Sequence, residues 1–160
     1  MGVRTDTPPV VLASEERSAT THSEEIRNPH EIGGAFLVFH LTKAPPKPRA
    51  KKEEETEKEK AELKAEEEAQ EGTLKVVIEA KDEVSGEWIP LTAFAVTKKG
   101  SELEAGGTLA YTIYAGALET AAVANHEVQG LPLPRTWRAT VEHSKGGKWT
   151  YSLSYQPLAA

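Results

Sequence analysis

Histidines, serines in polar turns and clustered carboxylates are the side chains of this 160-residue sequence whose types could do chemistry. The five histidines are His22, His30, His40, His126 and His143. A zinc site would need two or more at helical or strand spacing, joined by thiolates or carboxylates. No two of these histidines stand at such a spacing, and there is no cysteine. His40 and His143 fall inside strand-like stretches, where a hydrogen-bonded structural role is expected. His126 falls in a long loop and is the least constrained. Ser14, Ser85 and Ser101 lie in turns or polar stretches, and none occupies the G-x-S-x-G elbow of a hydrolase nucleophile.

Asp82, Glu83 and Glu87 share one short loop and could face a calcium ion, but the EF-hand spacing is missing and polar turn residues are the plainer reading. The glycine pairs 33–34, 106–107 and 146–147 read as turns, because neither GxxxxGK[ST] nor GxGxxG is present. The glutamates between Lys51 and Glu71 would be solvated with ordinary acidity, whereas acid–base catalysis wants buried, perturbed groups. Trp88, Trp137, Trp149, Tyr111, Tyr114, Tyr151 and Tyr155 could form a sugar-stacking platform. Most of them fall on faces expected to point inward, where large aromatics fill a core, with Trp88 and Tyr114 expected at the surface. The sequence therefore offers no catalytic residues, no cofactor-binding residues and no metal ligands, and the expectation is a non-enzyme.

The elements that carry these residues are strands. In Leu133 to Tyr155, the residues Trp137, Ala139 and Val141 alternate with polar neighbours, and Trp149, Tyr151, Leu153 and Tyr155 do the same after KGGK. This pattern predicts a hairpin with Gly146 and Gly147 at its tip. AFLVFHLT, from Ala35 to Thr42, is apolar on both faces and reads as a central strand or one with its outer face covered. TLKVVIEAK and WIPLTAFAV flank the loop DEVSGE as a second hairpin, and Pro90 points to an edge or a bulge. TLAYTIYA is a further strand, followed by a long Ala-rich loop from Ala117 to Pro134. Two edge strands are conceivable within residues 1–30, around Val10 to Leu12 and Ser18 to Ile26. The rest of that stretch reads as an extended arm.

Composition changes abruptly at Pro45, Pro46 and Pro48, which end the strand. From about Arg49 to Glu71 the chain is Glu, Lys and Ala, a strong helix-forming mixture with Leu63 as its one large apolar residue. Lys51 to Glu71 holds ten Glu and five Lys, so most of the net charge of −6 belongs to this segment. The remaining 14 basic and 15 acidic residues nearly balance and give no basic face for nucleic acid. No apolar run reaches the roughly 20 residues of a membrane span. The start MGVRTDTPPVV lacks a signal-peptide pattern, and Asp6 stands where a myristoylation motif has Ser or Thr. With no cysteine, nothing argues for an oxidising compartment, and folding in a reducing cytoplasm is expected.

The expected fold is mainly β, an antiparallel β-sandwich of immunoglobulin-like type with about seven strands. Residues 1–30 form its extended N-terminal arm, and residues 31–160 form the sandwich. The segment 45–72, a Pro-rich linker plus a charged helix, interrupts it.

Five pieces of the chain carry a family resemblance: GAFLVFHLTKA, VVIEAKDEVSGEWIPL, TIYAGALETAAVANHE, LPRTWRATVEHS and WTYSLSY. Together they resemble a group of small tailed-bacteriophage virion proteins over about residues 34 to 44 and 73 to 158. LPRTWR and KDEVSGEW are the most specific. The chain departs from the pattern at Ala115-Gly116, where Pro-Gly is common, and in the inserted segment 45–72. The resemblance implies a structural protein of the phage particle, made in the host bacterial cytoplasm and resident in the virion. It carries over no catalytic residues. A decoration or auxiliary protein of the capsid is the favoured role, with copies of itself and the major capsid protein as partners. Neither nucleic acid nor membrane is expected as a partner, and no cofactor is implied. A tail or neck component, and a binding module for host-surface glycans, are the alternatives.

Overall fold

The computed structural model describes residues 10–29, 32–45, 54, 56–96, 107–115 and 126–159. Within them the chain is mainly β, with one helix. The strands before the helix are β1 (Val10–Arg17), β2 (Thr21–His22), β3 (Ile26–Arg27) and β4 (Ile32–Lys43). The helix α1 (Glu57–Glu71) leads to β5 (Leu74–Lys81), β6 (Trp88–Ala95) and β7 (Thr108–Tyr114). The last strands are β8 (His126–Gln129), β9 (Thr136–His143) and β10 (Trp149–Ala159).

Two sheets form. One runs β1-β10-β4-β7-β8, and the other runs β2-β9-β5-β6 with β3 also paired to β9. Every pairing is antiparallel except β7 with β8, which is parallel. The arrangement is consistent with the expected sandwich, because one core draws on both sheets. Leu37, Phe39, Tyr111, Tyr151 and Leu153 from the first sheet meet Val76, Ile78, Phe94, Trp137 and Val141 from the second. Ten described strands stand where about seven were expected. Part of the difference is the two-residue β2 and β3 and the short β8, which lie in polar stretches with little apolar alternation to announce them.

The period-two pattern works through burial. Along β4, Ala35, Leu37, Phe39 and Leu41 are buried, while Phe36, Val38 and His40 on the other face are partly covered. β4 is central in its sheet, between β10 and β7, as its two apolar faces predict. Gly33 and Gly34 lie inside this strand and do not form a turn before it. A Cβ at Gly34 would stand 2.2 Å from the Ile113 carbonyl oxygen, so this position requires glycine for close approach to β7.

The expected hairpin between Trp137 and Tyr155 does not form. β9 lies in the second sheet and β10 in the first, and residues 144–148 carry the chain from one layer to the other. Alternation fixes which side chains point inward, but a hairpin and a crossover between layers produce the same alternation. Here the inward residues of β9 face those of β10 across the core. The Trp137 and Tyr155 rings meet edge to face at 5.4 Å, and His143 Nε2 lies 2.8 Å from Tyr151 Oη. Of the two glycines at the centre, only Gly147 has a positive φ, 141°, whereas a type I′ turn needs two such residues. Trp137, Val141, Trp149, Tyr151 and Leu153 are nevertheless all buried, as expected.

The hairpin between β5 and β6 does form. Asp82 N–H donates to the Glu87 carbonyl at 2.8 Å, and Gly86 takes the positive φ of 77° that the turn requires. A register shift between Ile78 and Glu79 is the irregularity that Pro90 predicts, and β6 is an edge strand.

Two further expectations change. The edge strands conceivable around Val10 to Leu12 and Ser18 to Ile26 do form, and they leave little of residues 10–27 as an arm: β1 covers the edge of β10, and β2 and β3 cover the edge of β9. Residues 1–9 lie outside the described residues. The long loop expected from Ala117 to Pro134 contains β8, paired to β7 through His126 to Gln129. Residues 116–125 lie outside the description.

The helix begins where Thr56 can cap it, its Oγ1 accepting from Glu59 N–H at 3.1 Å. Glu57 and Glu59 in the first turn complement the helix dipole. Leu63 is only 7% exposed, so the helix is not solvated on every side.

Candidate functional site

Among the described residues, the outer face of the second sheet gathers a connected polar network. Outward residues of adjacent strands meet there because the register sets Glu79 of β5 opposite Arg138 of β9, and Val77 opposite Thr140. Arg138 Nε donates to Glu79 Oε1 at 3.0 Å, and the Thr140 hydroxyl donates to the same oxygen. His22 Nδ1 lies 2.7 Å from Thr140 Oγ1, which extends the chain of contacts to β2. On the other side, the Arg138 guanidinium lies 4.4 Å from the centre of the Trp88 ring, and the Lys81 ammonium lies 5.9 Å from it. Lys81 also pairs with Glu25 at 2.8 Å.

Glu79 and Arg138 are 12% and 19% exposed at the side chain. Burial pushes the Glu79 pKa up, but the hydrogen bonds from Thr140 and Arg138, with the charges of Arg138 and His22, outweigh it and hold the group below the ordinary value. A carboxylate held ionised by three partners binds sheet strands together and is a poor proton donor. The His22–Thr140–Glu79 chain resembles a proton relay only in outline. The neighbouring Ser23 has its hydroxyl committed, donating to the Glu24 carbonyl and accepting from Ala139 N–H.

The residues singled out from the sequence are dispersed. Asp82 bonds to Val84 N–H and to the Ser85 hydroxyl, which, with the Ser85 bond leading, holds its carboxyl below the usual range. Glu83 accepts from the Thr136 hydroxyl at 2.7 Å and pairs with Arg27 at 3.7 Å. Asp82 and Glu83 therefore point to different partners and do not converge on one site. His40 Nδ1 bonds Thr108 Oγ1 at 2.9 Å, and His126 Nε2 bonds Thr112 Oγ1 at 2.8 Å beside the Phe36 ring. His30 and Ser101 lie outside the described residues. Among the described residues no three His, Asp or Glu side chains come together as a metal site would require.

The aromatics divide between core and periphery, with Tyr155 less buried and Trp88 and Tyr114 more covered than expected. Trp137, Trp149, Tyr111 and Tyr151 are buried, and Trp88, Tyr114 and Tyr155 are partly covered. The Trp88 ring, the best candidate for stacking on a sugar, is already approached by two cations. Sequence reasoning missed the Glu79–Arg138–Thr140–His22 network. Each of these residues stands at an outward position of its strand, but only the register between strands brings them together.

The stretches KDEVSGEW and LPRTWR meet here. KDEVSGEW supplies Glu83 and Trp88, LPRTWR supplies Thr136 and Arg138, and the contacts Thr136–Glu83 and Arg138–Trp88 join them. Among the described residues no helix is long and apolar enough to cross a membrane. No family model matches the chain, and neither a curated protein nor a solved structure matches it.

Proposed function

We propose that this chain is a non-enzymatic structural component of a tailed-phage particle, a decoration or auxiliary protein that adds to the capsid lattice in many copies. The observation that carries this reading is the meeting of KDEVSGEW and LPRTWR on one face, where the side chains that make these stretches distinctive bond to one another. A scaffold role for both stretches accounts for that pairing better than a reaction would. We further take the sandwich as immunoglobulin-like in the broad sense of two facing sheets over one core with inward alternation.

Attachment to a lattice suits such a domain, since many weak contacts gain strength from repetition. Charge supports it as well: the acidity is concentrated in 51–71, and the remainder is close to neutral. The virion is then the place of residence, with copies of the chain and the major capsid protein as partners. The glycan-binding alternative finds less support, because Arg138 and Lys81 occupy the surroundings of the Trp88 ring.

The test is binding of purified protein to heads prepared without it, with isolated tails as the control. Saturable binding to heads in many copies supports the proposal. Binding to tails alone, or a single copy per particle at the neck, overturns the decoration role and favours the tail or neck alternative. Retention of a specific oligosaccharide on a glycan array, with no binding to particles, overturns the virion reading as a whole.

A further inference from the structure

His143 ends β9 with its ring turned into one end of the sandwich. Its Nε2 bonds Tyr151 Oη at 2.8 Å, and its buried Nδ1 has no hydrogen-bond partner among the described residues. Arg17 approaches the same tyrosine from β1. Its guanidinium lies 4.9 Å from the Tyr151 ring centre, donates to the Tyr151 carbonyl at 3.0 Å and donates to the Ala13 carbonyl at 2.7 Å. The Arg17 side chain is only 10% exposed, so this cation is a built part of the fold and closes the end of β1 against β10.

Among the described residues, the groups around His143 offer no carboxylate to balance a second positive charge. β1 contributes the Arg17 cation, whose nearest carboxylate, Glu15, is largely exposed at 3.8 Å. β10 contributes the Tyr151 hydroxyl, whose pKa burial raises. β5 places apolar Leu74 opposite His143 in register. The β1–β2 connection contributes Thr20, whose Oγ1 accepts from His143 N–H, and β2 contributes Thr21 beside Tyr151. Glu142, next in sequence, is turned to Lys75 at 3.1 Å on the other face of the strand, and Glu16 is turned to Lys148 at 3.9 Å. A protonated His143 would hold a buried N–H without an acceptor and would face a fixed charge of its own sign.

We propose that protonation of His143 unlatches the Arg17 end of β1, so that the N-terminal edge of the first sheet is an acid-sensitive element. The strain resolves at β1 because β9 and β10 each have partners on both sides, whereas β1 is an edge strand with register shifts in its pairing. Burial and the Arg17 charge both lower the His143 pKa, in keeping with this geometry. A depressed folded-state pKa sets the direction: the stability it contributes is complete above about pH 6.5 and is lost as pH falls through the folded value. The inference is independent of the phage assignment.

Amide hydrogen exchange of the whole chain at pH 7.5 and 5.0, corrected for the intrinsic rate, tests it. Protection within Val10–Arg17 is expected to fall by up to about tenfold per pH unit below 6.5 and to stay below that of β4, because β1 opens first. His143→Gln, which keeps a neutral hydrogen-bonding side chain, should abolish this loss. An equal loss in that variant, β1 protection at pH 5.0 no lower than that of β4, or no loss at all overturns the proposal. If the variant does not fold, an NMR titration of His143 in the unaltered chain decides. A midpoint below 6.5 with β1 amide shifts following the same curve supports the latch, and a midpoint at or above 6.5 overturns it.

Discussion

The rings of Phe94 and Tyr111 stack with centroids 4.0 Å apart and planes 25° apart, joining edge strand β6 of one sheet to β7 of the other. Both side chains are essentially fully buried. The contact is apolar except for the Tyr111 hydroxyl, which is buried without a hydrogen-bond partner among the described residues. Burial, with the charge of Glu127 as a lesser cause, pushes its pKa far above the ordinary tyrosine value. Tyr111→Phe keeps the stack and removes an uncompensated polar group. The variant should be as stable as the parent or more stable by about 1 kcal/mol, whereas Phe94→Ala should lose about 3–5 kcal/mol. Urea midpoints at constant slope check both, and a Tyr111→Phe loss above 1 kcal/mol would mean that the hydroxyl has a partner.

Gly34 and Ile113 make a second tight junction, this time within one sheet. The hypothetical Cβ at Gly34 meets backbone at 2.2 Å and the Tyr114 ring at 2.7 Å, and a carbonyl cannot swing aside as a side chain can. Gly34→Ala should therefore cost roughly 3 kcal/mol or more, beyond the usual range for overpacking. Gly146→Ala, at a position with open space around it, is the control and should change the midpoint by less than about 0.5 kcal/mol. Similar losses for the two variants would refute the close approach of β4 and β7.

These residues show what the sequence made legible and what it withheld. Alternation placed Trp137, Val141, Trp149, Tyr151 and Leu153 inward because burial follows the strand period directly. It could not say which layer each strand joins, so the crossover at residues 144–148 read as a hairpin. Length gives no signal either, since a five-residue connection closes a hairpin as readily as it crosses between layers. Gly33-Gly34 misled for a related reason: glycine marks a turn and a close backbone approach with the same letter. The polar network around Glu79 was invisible because it depends on register between β5, β9 and β2, which no single stretch encodes.

Glu79 supplies a prediction in acid. Its folded-state pKa is held below the ordinary 4.5, so its contribution to stability is present above that value and is lost as pH falls through the folded one. Glu79→Gln removes the titration together with the charge. Its stability should be lower at neutral pH and less sensitive to acid, so that the two proteins converge as pH drops below about 4. Urea midpoints from pH 7 to pH 3 provide the measurement, and parallel curves would show that Arg138 and Thr140 do not hold the carboxylate ionised.

The inserted segment 45–72 should be dispensable for the fold. β4 and β5 belong to different sheets, each with its own neighbours, and loop-closure entropy changes slowly with length. Replacing the segment by a short Gly/Ser link that can span the layers should leave the β-type circular dichroism spectrum unchanged. The buried Leu63 gives this experiment its second outcome. Recovery only as aggregate would mean that the helix covers apolar surface the sandwich needs.

The N-terminal strand should behave in the opposite way. Val11 and Leu12, 8% and 6% exposed, belong to the core, and β1 pairs with β10 from Val10 to Arg17. An arm that served attachment alone could be removed with the domain intact. Removing residues 1–17 here strips two buried apolar side chains, uncovers the edge of β10 and deletes the Arg17 guanidinium that bonds Tyr151. Burial of two such side chains contributes about 3–6 kcal/mol, a large share of the roughly 5–15 kcal/mol that holds a domain of this size. The truncated protein should therefore unfold or aggregate through its exposed strand edge, and the proposed head binding should be lost along with the fold. Removing only residues 1–9 separates the two roles. If that shorter deletion keeps the denaturation midpoint and abolishes binding to heads, attachment resides before Val10. If it keeps both, the contact surface lies on the sandwich.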